Sequence, residues 1–515
     1  MELDLRSVPV VVRSPHGVGF GSTNVESEII ISDIKPDIAR VLMSDAEVKS
    51  SKCEVKMGRV TVSGDVDAVV FYAATTRDQP VRAVSSMIPY SIDIMIEGAL
   101  PQMKCEIAVR ATILEAKAMN ARKIKVRIYV ESFARVYGIK PRQVISDIQG
   151  VDDVQMVRST GVIPTFAGEV EDSFNVSETY NLPATSLPIW EVLMSKVAIK
   201  NPTISQNAGY AEVSGQGVVT IFYTEDAENG KLKKLDFGIP VNGVIRVADL
   251  EDATDLKLNT SVLSKNIIAT EDETGELKNF KVDLEVMASV EGYSEQEVDT
   301  IEDAFAPGMG MTVQKSDMKL ESKNVAASGG FSINGSMPID ENLPDVVEIV
   351  LTDCTIKECQ VVKNGNKAVI SGTMDMKVLY NGNEEDGMRG VNQDVSFERE
   401  VDLPSNDVGD DLDVKIDVVE SSCTASSPKT LEPRIEATYI IVDYKSSASN
   451  MAENITLRDP ENKMNSDDVV VYIAKGGENA WDIAKKHLVK IEDVIGVDGM
   501  PLQSILEQGE KVIIF

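Results

Sequence analysis

Along most of the chain apolar and polar residues alternate with a period of two, and the alternation recurs in three related blocks. The blocks begin at Val62-Ser63-Gly64, Val213-Ser214-Gly215 and Ile370-Ser371-Gly372, and in each a tyrosine follows eight positions after the glycine, at Tyr72, Tyr223 and Tyr380. Between glycine and tyrosine lie Val66, Ala68 and Val70 in the first copy, Gly217, Val219 and Ile221 in the second, and Met374, Met376 and Val378 in the third. Alternate residues of a strand point to opposite faces, so each stretch predicts a strand with one buried face. Each copy closes on a strand pair ending near Tyr137, Tyr293 or Tyr444. In the first, Lys123, Lys125 and Arg127 alternate with Ile124, Val126 and Ile128, the pattern of half-buried antiparallel sheet.

Upstream of each block a proline enters a stretch with helix-like spacing: Pro36 to Met43, Pro188 to Met194 and Pro344 to Leu351. Proline costs little in a first helical turn, where its missing N–H would have no acceptor, so a short helix is expected in each copy. The copies recur about 150 residues apart, too long for a solenoid unit, and read as three independent domains in tandem. Gly161 to Gly168 and Ala304 to Gly310 hold the Pro and Gly of boundaries. The expected division is an N-terminal segment 1–21, repeats 22–144, 165–298 and 322–444, a flexible linker 445–468 and a C-terminal unit 469–515. The linker expectation rests on Ser446-Ser447-Ala448-Ser449-Asn450 and the lack of apolar periodicity up to Asp468.

From Val469 the pattern changes. A short strand, Val469 to Lys475, gives way to a helix capped by Asn479 with Ala480, Ile483 and Ala484 inward; a second short helix is expected at Ile491 to Ile495 and a strand at Gly509 to Phe515. The fold class expected is therefore mainly β with short helices: three β-rich repeat domains followed by a small α+β unit of order βααβ.

With 515 residues, 43% hydrophobic and 26% charged, the chain needs several cores, and no apolar run approaches the ~20 residues of a membrane span. The start, Met1-Glu2-Leu3-Asp4-Leu5-Arg6, carries acids where a secretory signal has basic residues, so the cytosol of the producing cell is the expected compartment. A net charge of −32 argues against nucleic acid as a partner, because that affinity comes from Lys and Arg displacing counterions. The cluster Lys231-Leu232-Lys233-Lys234 reads as solvated charge among acids. Five cysteines, Cys53, Cys105, Cys354, Cys359 and Cys423, lie scattered without a Cys-x-x-Cys pair, so reduced structural thiols are expected. The two histidines, His16 and His487, are far apart, which speaks against a zinc site or a histidine-based catalytic centre. No Walker loop or nucleophile elbow is present, and Gly17-Val18-Gly19-Phe20-Gly21 leads into polar residues instead of a helix. A glycoside hydrolase is a third and weaker reading, since 83 acidic residues make chance carboxylate pairs plentiful. No cofactor is expected, and the chain reads as a binding protein, not an enzyme.

The repeats, over roughly residues 22 to 444, resemble the SPOCS domain of bacterial sporulation and spore-coat proteins, on the helix, Ser-Gly and tyrosine pattern just described. Bare packing explains those residues best, with the glycines permitting close backbone approach or a bulge. The C-terminal unit resembles a LysM domain: Tyr472, Gly477, Trp481, Ile483 and Ala484 match its first half, and Ile505, Gly509, Val512 and Ile514 its closing segment. Trp481 is expected to pack and not to stack on a sugar. The LysM resemblance implies binding loops at Gly477, Glu478, Asn479 and Ala480 and at Asp498 to Ile505, including Gly499, Met500 and Leu502. Here Glu478, Asn479 and Ala480 stand where the family has Asp, Thr and Leu, Asp498 stands near the usual Asn, and Gln508 replaces Pro. The departures spare the fold and alter the glycan loops.

Together the two resemblances are similar to clostridial spore-coat morphogenetic proteins. They imply a coat-assembly scaffold in the mother-cell cytoplasm, at the forespore surface and spore coat. Its LysM-like domain would dock onto a coat ATPase of the stage IV sporulation protein A type, with other coat proteins as further partners. The alternative is a peptidoglycan-binding protein that anchors coat to cortex through a conventional LysM glycan site.

Overall fold

The computed structural model describes residues 3–76, 80–225, 230–382, 387–404, 407–458, 469–502 and 505–515. The first repeat contains β1 (Asp4–Ile30), β2 (Ile38–Lys56), β3 (Arg59–Ala74), β4 (Val81–Met95), β5 (Lys104–Asn120) and β6 (Lys123–Gln149). The second contains β7 (Gln155–Asn181), β8 (Ile189–Asn207), β9 (Tyr210–Glu225), β10 (Leu232–Arg246), β11 (Asp255–Glu271) and β12 (Leu277–Phe305). The third contains β13 (Gly310–Asn334), the short β14 (Met337–Pro338), β15 (Glu348–Asn364), β16 (Lys367–Asn381), β17 (Met388–Asp402), β18 (Leu412–Ser427) and β19 (Thr430–Arg458). The C-terminal unit holds β20 (Val470–Ile473), α1 (Ala480–His487), β21 (Val494–Gly496) and β22 (Lys511–Ile514).

Each repeat is a sandwich of two antiparallel sheets. In the first the strand orders are β1-β6-β5 and β2-β3-β4; the second repeats them as β7-β12-β11 and β8-β9-β10, and the third as β13-β19-β18 and β15-β16-β17. The alternation read from the sequence decides which side chains fill each sandwich: Ile124, Val126 and Ile128 are fully buried, as are Val66, Ala68, Val70 and Tyr72. The repeated glycine lies opposite a bulge. At Gly64 a Cβ would stand 1.9 Å from the Ser50 carbonyl oxygen, and at Gly372 2.2 Å from that of Glu358. The bulges fall between Val48 and Ser50 and between Ile356 and Glu358. Close packing also explains Gly17-Val18-Gly19-Phe20-Gly21: the glycines let β1 close onto Ile92 and Ile94 of β4 and onto Ile96 just after it.

The mainly β class with short helices is what the structure shows, but the three proline-entered stretches are strands, not helices. Pro36, Pro188 and Pro344 precede β2, β8 and β15. Bulges at Ile38/Arg40 and Val41/Met43, and at Ile189/Glu191 and Val192/Met194, move residues from one face to the other, so the apolar spacing imitates a helical turn. Both faces are also buried there. One faces the sandwich, and the other faces a core shared by all three repeats: Leu42, Met43 and Phe71 from the first, Leu193, Met194 and Phe222 from the second, Leu351 and Leu379 from the third.

That shared core corrects the expectation of independent beads. The repeats surround a pseudo-threefold axis, and equivalent positions meet on it. Asp45, Lys196 and Asp353 are one such set; the Lys196 ammonium lies 2.9 Å from Asp45 Oδ2 and 2.8 Å from Asp353 Oδ2, and Lys377 donates to Asp45 Oδ1. A second charged layer centres on the buried Arg13. It reaches Glu106 at 2.8 Å, Glu291 at 2.9 Å and Glu321 at 2.9 Å, and lies 3.6 Å over the Tyr137 ring. Tyr444 donates to Glu106 at 2.8 Å, Tyr293 donates to Glu291 at 3.1 Å, and Arg135 covers the Tyr444 ring. The three closing tyrosines are thus brought together in one cluster.

The closing strands do not end near those tyrosines. They continue to Gln149, Phe305 and Arg458, each paired with the first strand of its repeat. The three ribbons pack into a stalk around Val12, Val144, Ile163, Val298, Leu320 and Met451, and farther out around Ile148, Ile301, Met311 and Ile455. At about 3.3 Å per residue the stretch from Tyr137 to Gln149 spans roughly 40 Å. Residues 4–21, expected to be a separate segment, are part of β1; Gly161 to Gly168, expected to be a boundary, lies inside β7; and the expected linker is β19 as far as Arg458. Its remainder, 459–468, lies outside the described residues. Side chains at strand positions facing two other ribbons do not need to alternate in polarity as a two-layer sandwich does, which hides the stalk from a period-two reading. Finally, Cys53 and Cys105, expected as separate thiols, form a disulfide between β2 and β5, while Cys354, Cys359 and Cys423 are free.

Burial alone would push the Asp45 carboxyl up, but Lys196 and Lys377 outweigh it and hold the group well below the usual carboxylate range. At Glu106 burial is likewise overcome by Lys323 and Arg13, and the carboxyl falls to about 2. In the unfolded chain such groups protonate near pH ~4. Both contribute stability that is complete above that range and is lost as pH falls through the lower folded values. Circular dichroism is therefore expected to show acid unfolding setting in below pH ~4. Lys196→Met leaves the buried Asp353 without the ammonium that bonds it, while Lys377 still pairs Asp45, and is expected to cost about 3–5 kcal/mol in urea denaturation.

Candidate docking site

The C-terminal unit is a three-stranded sheet of order β20-β22-β21 covered by α1. Ile483 and Ala484 on the helix, and Val512 and Ile514 on β22, are fully buried against one another. Asn479 caps the helix as expected: its side chain accepts from the Asp482 N–H, and the Asp482 carboxylate accepts from the Asn479 N–H, each at 3.0 Å. Leu488 ends it with a left-handed φ of 55°. The expected second helix is a single 3-10 turn, Ile491–Asp493, after which Val494 and Ile495 join β21. Two β-branched residues with a sheet edge beside them favour the strand.

The first of the two loops expected to bind is bonded by its backbone to Leu506, the residue after the second. The Gly477 N–H donates to the Leu506 carbonyl and the Leu506 N–H to that of Glu478, each at 2.9 Å. Gly477 takes a φ of 82°, which favours glycine. The Glu478 carboxylate accepts from the Tyr472 hydroxyl at 2.8 Å and from the Lys475 N–H at 2.8 Å, and these bonds, the backbone one foremost, hold it below the usual carboxylate range. Glu478, where the family pattern has Asp, therefore ties the strand to the helix turn. Ala480, the first helical residue, and Leu502 line a common cleft of about 410 Å³. Asp498, Gly499 and Met500 form a separate tight turn, with Asp498 Oδ1 accepting from the Met500 N–H at 3.1 Å. Met500 and Ile505 stand out from it at 64% and 67% exposure, while Leu502 packs on the unit's core.

Trp481 does not face solvent as a sugar platform would. Its indole N–H donates to Asp303 Oδ2 at 2.9 Å and its ring meets Phe305 edge-on at 4.9 Å, both at the tip of the stalk. Lys485 also bonds Asp303, the Gly308 N–H donates to the Leu488 carbonyl at 2.8 Å, and Lys490 pairs with Asp153 at 2.9 Å. Phe305 is fully buried and completes the core of the C-terminal unit from outside it. Sequence reasoning took Ala304 to Gly310 as a boundary and missed this seat; the one signal was a large aromatic residue beside a Pro-Gly turn.

His487 is pushed below its usual pKa by burial and by Lys486, and meets Tyr472 edge-on at 5.4 Å. Among the described residues no group of three or more His, Cys, Asp or Glu is placed to hold a metal ion, and no helix is long and apolar enough to cross a membrane.

Residues 37–119 and 345–426 match the family model described as SipL, SPOCS domain. The two stretches cover β2 to β5 of the first repeat and β15 to β18 of the third, so the chain carries SPOCS-domain sequence in both. The second repeat has the same strand order between them. No curated protein and no solved structure matches the chain.

Phe305→Ala is expected to destabilise the C-terminal unit, although the two are joined through the whole third repeat. A buried phenylalanine truncated to alanine costs about 3–5 kcal/mol. Hydrogen exchange of the α1 amides is expected to accelerate while that of β3, β9 and β16 stays unchanged.

Proposed function

We propose that this chain is a non-enzymatic assembly scaffold of the bacterial spore coat, acting in the mother-cell cytoplasm at the forespore surface. Its LysM-like C-terminal unit docks onto a coat ATPase of the stage IV sporulation protein A type. The sporulation context comes from the SPOCS-domain matches in the first and third repeats. The observation that carries the docking role is the exposure of two aliphatic side chains, Met500 and Ile505, at 64% and 67%, beside the cleft that Ala480 and Leu502 line. Such side chains insert into pockets of a protein partner, where a few anchors carry most of the binding energy. The three sandwiches around one axis supply the scaffold, and the stalk carries the docking unit away from them.

The test is binding of the full chain to the ATPase and to chito-oligosaccharide. Met500→Asp with Ile505→Asp is expected to weaken ATPase binding at least tenfold, since anchors of this kind can be worth more than about 2 kcal/mol, with circular dichroism unchanged. Sugar binding lost in that variant with ATPase binding intact would replace docking by glycan anchoring.

A further inference from the structure

The cleft beside the two loops is not made by the C-terminal unit alone. Ala480, Val494, Pro501 and Leu502 form its aliphatic side, and Asp153 and Gln155 of the stalk tip form the opposite wall. Asp153 sits in the turn between β6 and β7 with a left-handed φ of 56°, and the Gln155 amide donates to its carbonyl at 3.2 Å. At the mouth, Lys490 lies between two carboxylates, 2.9 Å from Asp153 and 3.9 Å from Glu492. Asp153 remains 58% exposed and Glu492 77%, so the one lysine leaves an uncompensated negative charge facing solvent. The site joins an aliphatic floor to an acidic rim, on a chain whose net charge is −32. Among the described residues no aromatic ring lines it.

We infer that stalk and C-terminal unit together form a composite groove for a segment of a protein partner that inserts an aliphatic side chain and sets a Lys or Arg against Asp153 and Glu492. This rests on the docking reading above and deepens it: the partner would recognise the C-terminal unit only as seated on its own stalk. An aliphatic floor takes an aliphatic anchor, and an acidic rim attracts a basic flank and repels an acidic one. The seat through Trp481 and Phe305 then has a purpose beyond stability, since it sets the distance between the two walls.

The experiment uses the full chain, with the ATPase as probe. Gln155→Trp fills the groove from the stalk side without altering the C-terminal unit. Asp153→Asn removes one rim charge at a position where asparagine tolerates the left-handed backbone. Both are expected to weaken ATPase binding about tenfold or more, and Asp153→Asn is expected also to flatten its dependence on salt. Hydrogen exchange of α1 monitors the seat; a variant with faster exchange is replaced by Glu492→Gln, which touches the rim alone. Wild-type binding with all these variants equal to it overturns the composite groove and leaves docking standing. Absence of ATPase binding by the wild type, with capture of chitotetraose, overturns both.

Discussion

Three related modules can close around an axis only if what meets on the axis is mutually compatible, and in this chain that condition is met by one ion cluster. Asp45, Lys196 and Asp353 occupy the same place in the three repeats, and a single ammonium between two carboxylates satisfies the layer, with Lys377 as a fourth member. Three identical residues could not do this. Three aspartates or three lysines at that depth would repel strongly in surroundings that screen charge poorly. The layer therefore sets which modules may meet: it favours closure of one chain on itself and penalises the same module from several copies. The charged layer around Arg13 does likewise nearer the stalk, where one guanidinium reaches carboxylates on all three repeats.

Everything beyond the axis follows from that closure. Once the modules are held side by side, the first and last strands of each can run on together past the sandwiches, because the other two ribbons cover the faces that solvent would otherwise reach. The stalk needs no core of its own modules. Valine, isoleucine, leucine and methionine from six strands supply it, and its end presents Asp303 and Phe305 on the last residues of β12. Phe305, buried there, joins the core of the C-terminal unit, and Asp303 binds Trp481 and Lys485 of α1. Scaffold and docking unit are thus one continuous arrangement, with the chain's interaction chemistry concentrated at the tip.

The buried charges support that arrangement. Arg13, Asp45, Glu321, Asp353 and Lys377 are each paired, and the pairs join one repeat to another.

Period two, the Ser-Gly-tyrosine pattern and the break at Val469 were enough to read three related β-rich modules and a small terminal α+β unit. Those features are local: which face of a strand is apolar, where a bulge requires glycine, where Asn479 caps a helix. The helices expected after Pro36, Pro188 and Pro344 failed for a nonlocal reason. Bulged strands buried on both faces have the apolar spacing of a helix, and their second face is buried only because two other modules cover it. The stalk, the partners of Arg13 and the Cys53–Cys105 pair were hidden in the same way, each depending on residues brought near by the tertiary fold. At the C-terminal unit the loops and Trp481 were legible in the sequence; that Trp481 turns toward Asp303, and that Asp153 walls the cleft, was decided by packing between segments 178 residues apart or more. A sequence records which side of an element avoids water, and only the folded chain determines what excludes the water from it.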